Sequence, residues 1–161
     1  MISLVRVDNR LIHGQVVEAW LPRLKVARVV VADDEAAGSP LIRAAMGLAV
    51  QSSVEVVIEP LDKLNFAALS SDGVKTLVLV RDIAQVMDAS GRGLALTHVN
   101  LGNVHFATGR RQVSASVFLS PEEMNRLKML ADQGVEVECR GVPADKPVTY
   151  PEMVERFGKG P

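Results

Sequence analysis

The chain has 161 residues, 48% of them hydrophobic, and 18 Lys and Arg against 19 Asp and Glu leave a formal net charge of −1. That balance lacks the basic excess of a nucleic-acid binder. Its apolar runs also fall far short of the roughly 20 residues needed to cross a bilayer, and no charged n-region followed by an apolar h-region opens it. The expectation is a single cytoplasmic domain over 1–161, large enough to bury about 70% of its unfolded surface, with a frayed tail at 157–161.

Short Val/Ile/Leu runs recur at 2–7, 27–32, 54–58, 75–80, 98–101, 113–119 and 135–139, and read as strands. Val29-Val30-Val31 and Leu77-Val78-Leu79-Val80 are continuously apolar, as in strands covered on both faces. Segments with helical spacing lie between them: Val16, Trp20 and Leu24; then Leu41, Ala45, Leu48 and Ala49; later Met124, Leu127, Leu130 and Ala131. Ser39-Pro40 reads as an N-cap with proline at the first helical position, and Ser120-Pro121-Glu122-Glu123 as a capping box. Gly134 stops that last helix. Strand–helix alternation through the first 90 residues predicts right-handed βαβ crossovers. The fold class expected is α/β, an open and mostly parallel sheet with helices on both faces. Closely spaced strands from 94 to 119 leave room for an antiparallel strand in the C-terminal half. Cys139, the single cysteine, falls in a strand and reads as a packed thiol without chemistry.

The segment Asp8-Asn9-Arg10-Leu11-Ile12-His13-Gly14-Gln15 joins the first strand to the first helix. Open α/β sheets bind ligands at that junction. Neutral imidazole is a good nucleophile near pH 7, and a phosphoryl group on it keeps a high transfer potential. A carrier of that kind needs an exposed ring, a free ring nitrogen and donors for the phosphoryl oxygens. Arg10 can supply a bidentate guanidinium, and the helix start can add backbone N–H groups at 14–16. Asp8 can orient the loop through its backbone or through Arg10, while Gly14 allows close approach and unusual dihedrals. By spacing alone, a loop histidine without chemistry beside a solvated arginine fits equally.

The run Val7-Asp8-Asn9-Arg10-Leu11-Ile12-His13-Gly14-Gln15-Val16 closely resembles the active-site loop of the IIB component of mannose/fructose/sorbose-family sugar phosphotransferase systems. Trp20, Val29 to Asp34, Val99 to Asn103, Arg111 to Val113, Gly134 to Val137 and Val142-Pro143 also fall where that family has like residues. The resemblance covers residues 1 to about 157. It implies that His13 is transiently phosphorylated on Nδ1 by the phosphohistidine of a IIA partner. The phosphoryl group then passes to a sugar entering through the IIC/IID membrane components, so the protein would associate peripherally with the membrane transporter. It further implies that Arg10 holds the phosphoryl group and Asp8 supports the loop, with Asn9, Gly14 and Gln15 as the remaining loop positions. No metal or organic cofactor is required. Asn9 departs from the family pattern, which has a second acid there, and so removes a negative charge beside the site.

Most of the other candidates have two readings. His98 reads as a strand-end residue. His105 lies in a connection, with a supporting role near His13 as the alternative. Asn100 and Asn103 read as turn residues, with lining of the site as the alternative. Asp82 reads as a helix cap and Arg81 as an exposed charge, against a role for Arg81 in the phosphoryl pocket or in docking. Arg110-Arg111-Gln112 is either a solvated basic turn or part of a docking surface. Two other function classes use the same loop: a regulatory phosphohistidine domain that signals carbohydrate or energy status without transport, and a domain that binds a stable anion. The sugar is left open, and a homodimer is allowed.

Overall fold

Strand β1 (Ile2–Asp8) occupies the middle of the sheet in the computed structural model, which describes residues 1–160. Its even-numbered residues Leu4, Arg6 and Asp8 share one face and Val5 and Val7 the other, following the two-residue period of a strand. Around it the chain continues as β2 (Arg28–Ala32), β3 (Glu55–Glu59), β4 (Thr76–Val80), β5 (His98–Asn103), a hairpin of β6 (Arg111–Ser114) and β7 (Val117–Leu119), β8 (Glu136–Cys139) and β9 (Val148–Thr149). The main sheet has the order β3-β2-β4-β1-β5-β8-β9. Pairing is parallel except for β9, which runs antiparallel to β8. The open, mostly parallel sheet and the antiparallel element of the C-terminal half are therefore as expected.

Two apolar cores flank this sheet. Val5, Val7, Val78, Val80, Val99, Leu101 and Val137 pack under α4 (Phe66–Ser71), α5 (Ile83–Gly91), α6 (Pro121–Asp132) and α7 (Tyr150–Lys159). On the other face Leu4, Val29, Val31, Leu77 and Leu79 pack under the first helix and under α2 (Asp34–Ala37) and α3 (Pro40–Ala49). Burial of such residues is worth about 25 cal/mol per Å² and is the main stabilising term. The chain leaves β1 toward one face and β4 toward the other, which opens a crevice at their neighbouring carboxyl ends, the usual ligand position in such sheets.

Helix starts follow the local chemistry. Ser39 accepts from Ile42 N–H, and Ser120 and Glu123 close the expected capping box. Asp82 caps α5 and forms a second box with Gln85. Gly134 takes a positive φ of 86° after α6, as its position as a helix stop predicts.

Several expectations are corrected. The run 113–119 is two strands, not one, because the chain reverses at Ala115-Ser116. The first helix begins at Gly14, in line with the expected donors at 14–16, but includes an unforeseen π-helical stretch (Val16–Trp20) before α1 (Leu21–Leu24). In α3 the residues that face the core are Ile42 and Met46, and Leu41 and Leu48 are exposed. That helix carries no acid and a single Arg43, so its spacing alone does not select a face. The tail is helical to Lys159, past the expected fraying point at 157, since Phe157 packs on the core and under the Arg111 guanidinium. Thr149, Pro151 and the spacing of Tyr150, Met153 and Phe157 were the signal for α7.

Candidate functional site

The loop that follows β1 is anchored from below by Leu11 and Ile12, both buried in the core under the first helix. Leu11 holds a left-handed φ of 58°, unusual for a side chain branched at Cγ and costing about 1–2 kcal/mol. Its N–H donates to the Asp8 carbonyl at 3.0 Å, which turns the chain back on itself. The left-handed residue of the loop is thus Leu11 and not Gly14, which takes no positive φ and whose missing Cβ would meet only open space.

Asp8 organises what stands above that turn. It is completely buried. One oxygen, Oδ1, accepts from the Arg10 backbone N–H at 3.0 Å and from Arg10 Nε at 2.9 Å. The other, Oδ2, accepts from an Arg10 terminal nitrogen at 2.9 Å and from Arg6 at 2.9 Å. Burial alone would raise the Asp8 carboxyl. Hydrogen bonds from the Arg10 side chain and backbone, with Arg6 and His13 nearby, outweigh it and hold the group below the usual carboxylate range. Arg10 also donates to Gln15 Oε1 at 3.0 Å, which fixes its outward arm.

His13 is carried at the start of the first helix, where its carbonyl accepts from Val17 N–H. Its Nε2 lies 3.7 Å from Asp8 Oδ2, and its Nδ1 lies 2.9 Å from the Leu11 carbonyl oxygen. The ring is folded down against the loop, 19% exposed, with Nε2 buried and unpartnered. This differs from the expected open ring with a free nitrogen: the turn at Leu11 aims its carbonyl at Nδ1.

Asn9 ties the loop sideways. Its N–H donates to the Asn103 carbonyl and its Oδ1 accepts from Asn103 Nδ2, while its Nδ2 pairs with His105 Nδ1 at 3.0 Å. Its own carbonyl accepts from Arg81 at 3.0 Å. Arg81 in turn holds Asp33 through two contacts, at 3.1 and 2.7 Å. A cavity of about 220 Å³ opens between Asn9, Arg81, His105 and Arg110. Of the paired readings, Arg81, Asn103 and His105 therefore join the loop's surroundings. Asn100 and Asn103 lie within β5 and not in turns.

Arg110 is neither free nor solvated, since it pairs with Glu123 at 2.7 Å and donates to the His105 carbonyl. Arg111 lies over the Phe157 ring. His98 begins β5, as expected, and contacts Glu138 at 3.1 Å. Cys139 is buried, packed on Met153 at 3.1 Å between the sulfurs. Arg6 and Glu138 were missed. Their signal was a charged residue inside an otherwise apolar strand, Leu4-Val5-Arg6-Val7, and another in Val137-Glu138-Cys139. Among the described residues no helix is long and apolar enough to cross a membrane.

An open parallel sheet with a histidine loop at the carboxyl end of its central strand narrows the class to α/β proteins that work from a sheet edge. Comparison with known proteins settles the family. The family model described as PTS system sorbose subfamily IIB component matches residues 2–159. The chain is 29% identical over 153 residues to the N-acetylgalactosamine-specific phosphotransferase enzyme IIB component 1 of Escherichia coli K12, covering 94% of this chain and 97% of that protein. It is 26% identical to the mannose-specific EIIAB component of E. coli K12, where it covers 99% of itself and 50% of the relative. The crystal structure of manxB from Thermoanaerobacter tengcongensis superposes with a TM-score of 0.86 at 29% identity, over 98% of this chain and 96% of that one. The chain belongs to the IIB components of the sorbose subfamily of phosphotransferase systems, and is thus a phosphotransferase of that system.

Proposed function

We propose that the protein relays a phosphoryl group: from a IIA phosphohistidine onto His13, then from His13 to a sugar during uptake through IIC/IID membrane components, with which it associates peripherally. The observation that carries this reading is the fixed cluster of Arg10 and Asp8 around the His13 ring at a helix start, in a chain of this family. This chain covers half of the E. coli relative whose name, EIIAB, joins an A to a B component, which favours a IIA donor.

The chemistry asks little covalent work of the protein. The Nδ1 lone pair attacks phosphorus in line as the donor's P–N bond breaks, and the donor imidazole leaves with its electron pair. Nδ1 must first give up its contact with the Leu11 carbonyl, so the ring turns outward. With the proton on Nε2, the ring can stay tethered toward Asp8, whose low-lying carboxyl remains an anion. The Arg10 terminal nitrogen not held by Asp8 and Gln15, with the first backbone N–H groups of the helix, then faces the developing charge on the phosphoryl oxygens. In the second step a sugar hydroxyl attacks, the P–N bond breaks toward Nδ1, and the hydroxyl proton returns to the ring. Neither step needs a metal or an organic cofactor.

The test is a two-stage transfer. Phosphorylated IIA donor is mixed with the chain, and the purified phosphoprotein is added to membranes bearing IIC and IID with a hexose. Label should move first to the protein and then to the sugar. Label that enters the protein but never reaches any sugar would contradict the relay and favour a regulatory phosphohistidine.

A further inference from the structure

Three polar side chains stand side by side on one face of three adjacent strands: Arg6 on β1 is in register with Asn100 on β5, which is in register with Glu138 on β8. All three are buried. Leu4 on β1 and Leu77 and Leu79 on β4 make the rest of that face apolar beside Asp8, so a full charge at position 6 is costly unless its terminal donors find partners. The two terminal nitrogens of Arg6 donate four times, to Asn100 Oδ1 at 2.5 Å, to the Arg140 and Gly141 carbonyls at 3.0 Å each, and to Asp8 Oδ2 at 2.9 Å, while Nε is buried without a partner. The Trp20 ring covers it at 5.1 Å and is itself held by Nε1 donating to the Gly141 carbonyl at 2.8 Å.

Space for this group comes from Gly102. A Cβ there would lie 2.1 Å from Arg6 Cζ, so only glycine leaves room for the guanidinium. The oxygen that Arg6 holds is the one that also takes Arg10 and lies nearest His13 Nε2.

We propose that Arg6 is a positioning residue for the His13 site, fixing Asp8 from inside the sheet face and, through that carboxylate, the Arg10 fork and the histidine ring. This rests on the relay reading of His13. A planar guanidinium is needed because four acceptors in two directions are served at once. An ammonium at the end of a lysine stem keeps the charge and most of the volume but cannot span them. Charge neutralisation of Asp8 alone would be met by lysine; positioning would not.

The experiment compares Arg6→Lys and Gly102→Ala with the unaltered chain. Gly102→Ala adds one methyl group, removes no charge, and displaces the guanidinium. Phosphoryl uptake from a phosphorylated IIA donor is followed by rapid quench, and the His13 ring and Arg10 Nε–H signals by NMR, at a temperature where circular dichroism shows each variant folded. Each variant should lose about 100-fold in maximal transfer rate. The Michaelis constant for the donor should stay within about twofold, since docking is untouched. The ring and Arg10 signals should shift in both. Transfer by either variant within about threefold of the unaltered rate, or unmoved His13 and Arg10 signals, would overturn the proposal. No uptake by the unaltered chain, with the NMR shifts present in the variants, would instead remove the relay reading and leave the placement of the ring by Arg6 standing.

Discussion

His13 Nδ1 and the Leu11 carbonyl oxygen are 2.9 Å apart, and Leu11 holds a φ of 58° to put that carbonyl there. A carbonyl accepts, so the resting neutral ring carries its proton on Nδ1. Phosphorylation at Nδ1 therefore requires a change of tautomer as well as a turn of the ring. Nitrogen-15 NMR at pH 8 is expected to show the Nδ1–H tautomer in the free protein and Nε2–H after phosphoryl uptake. A free protein already in the Nε2–H form would mean that the Leu11 contact does not restrain the ring.

Arg10 is 39% exposed at its side chain, and Asp8 keeps Arg6 when Arg10 is removed. Arg10→Ala strips two donors from the buried Asp8 carboxylate and should cost about 1–3 kcal/mol of stability in urea unfolding. The same change takes away donors aimed at the phosphoryl oxygens, and transfer should slow by about 10²- to 10³-fold. An unfolded variant, or an unchanged rate, would count against the clamp.

Three buried carboxylates share one pH signature. At Asp8, Asp33 and Glu138 burial works to raise the group, but hydrogen bonds prevail: from Arg10 at Asp8, from Arg81 and the Ala36 N–H at Asp33, and from His98, Arg140 and Asn100 at Glu138. Each lies below its unfolded value, about 3.9 for Asp and 4.3 for Glu. Their stabilisation is complete above those unfolded values and is lost as pH falls through the lower folded ones. Unfolding free energy should hold level from pH 7 to about 5 and decline steeply below about 4. A level profile down to pH 3 would mean that these groups are not held as ions.

Burial pushes the Cys139 thiol up to about 12, where it packs against Met153 of α7. The thiolate is the reactive form, so alkylation at pH 8 should run at least about 100-fold slower in the native protein than in urea. Rapid native labelling would show that α7 opens readily from the sheet.

What could be read in the sequence depended on local signals. Continuous apolar runs such as Leu77 to Val80 and the Ser120–Glu123 box placed strands and helix starts closely, because period and caps act over a few residues. The loop carried its own motif, so Asp8, Arg10 and His13 could be grouped, and the Asp8–Arg10 contact was foreseen. The inward fold of the His13 ring was not, since it follows from one left-handed residue, Leu11, that no composition rule favours there. Arg6, Asn100 and Glu138 lie far apart in sequence and meet only through strand register. The exposed Leu41 and Leu48 teach the converse: a helix apolar on several sides does not declare which side is buried.

The most direct test of the account is to map the phosphoryl group itself. After incubation with a phosphorylated IIA donor, the chain should carry acid-labile, base-stable phosphate, found by mass spectrometry of alkaline digests in the peptide containing His13 and absent from His13→Ala. Full labelling of His13→Ala, or phosphate recovered on His98 or His105, would contradict it.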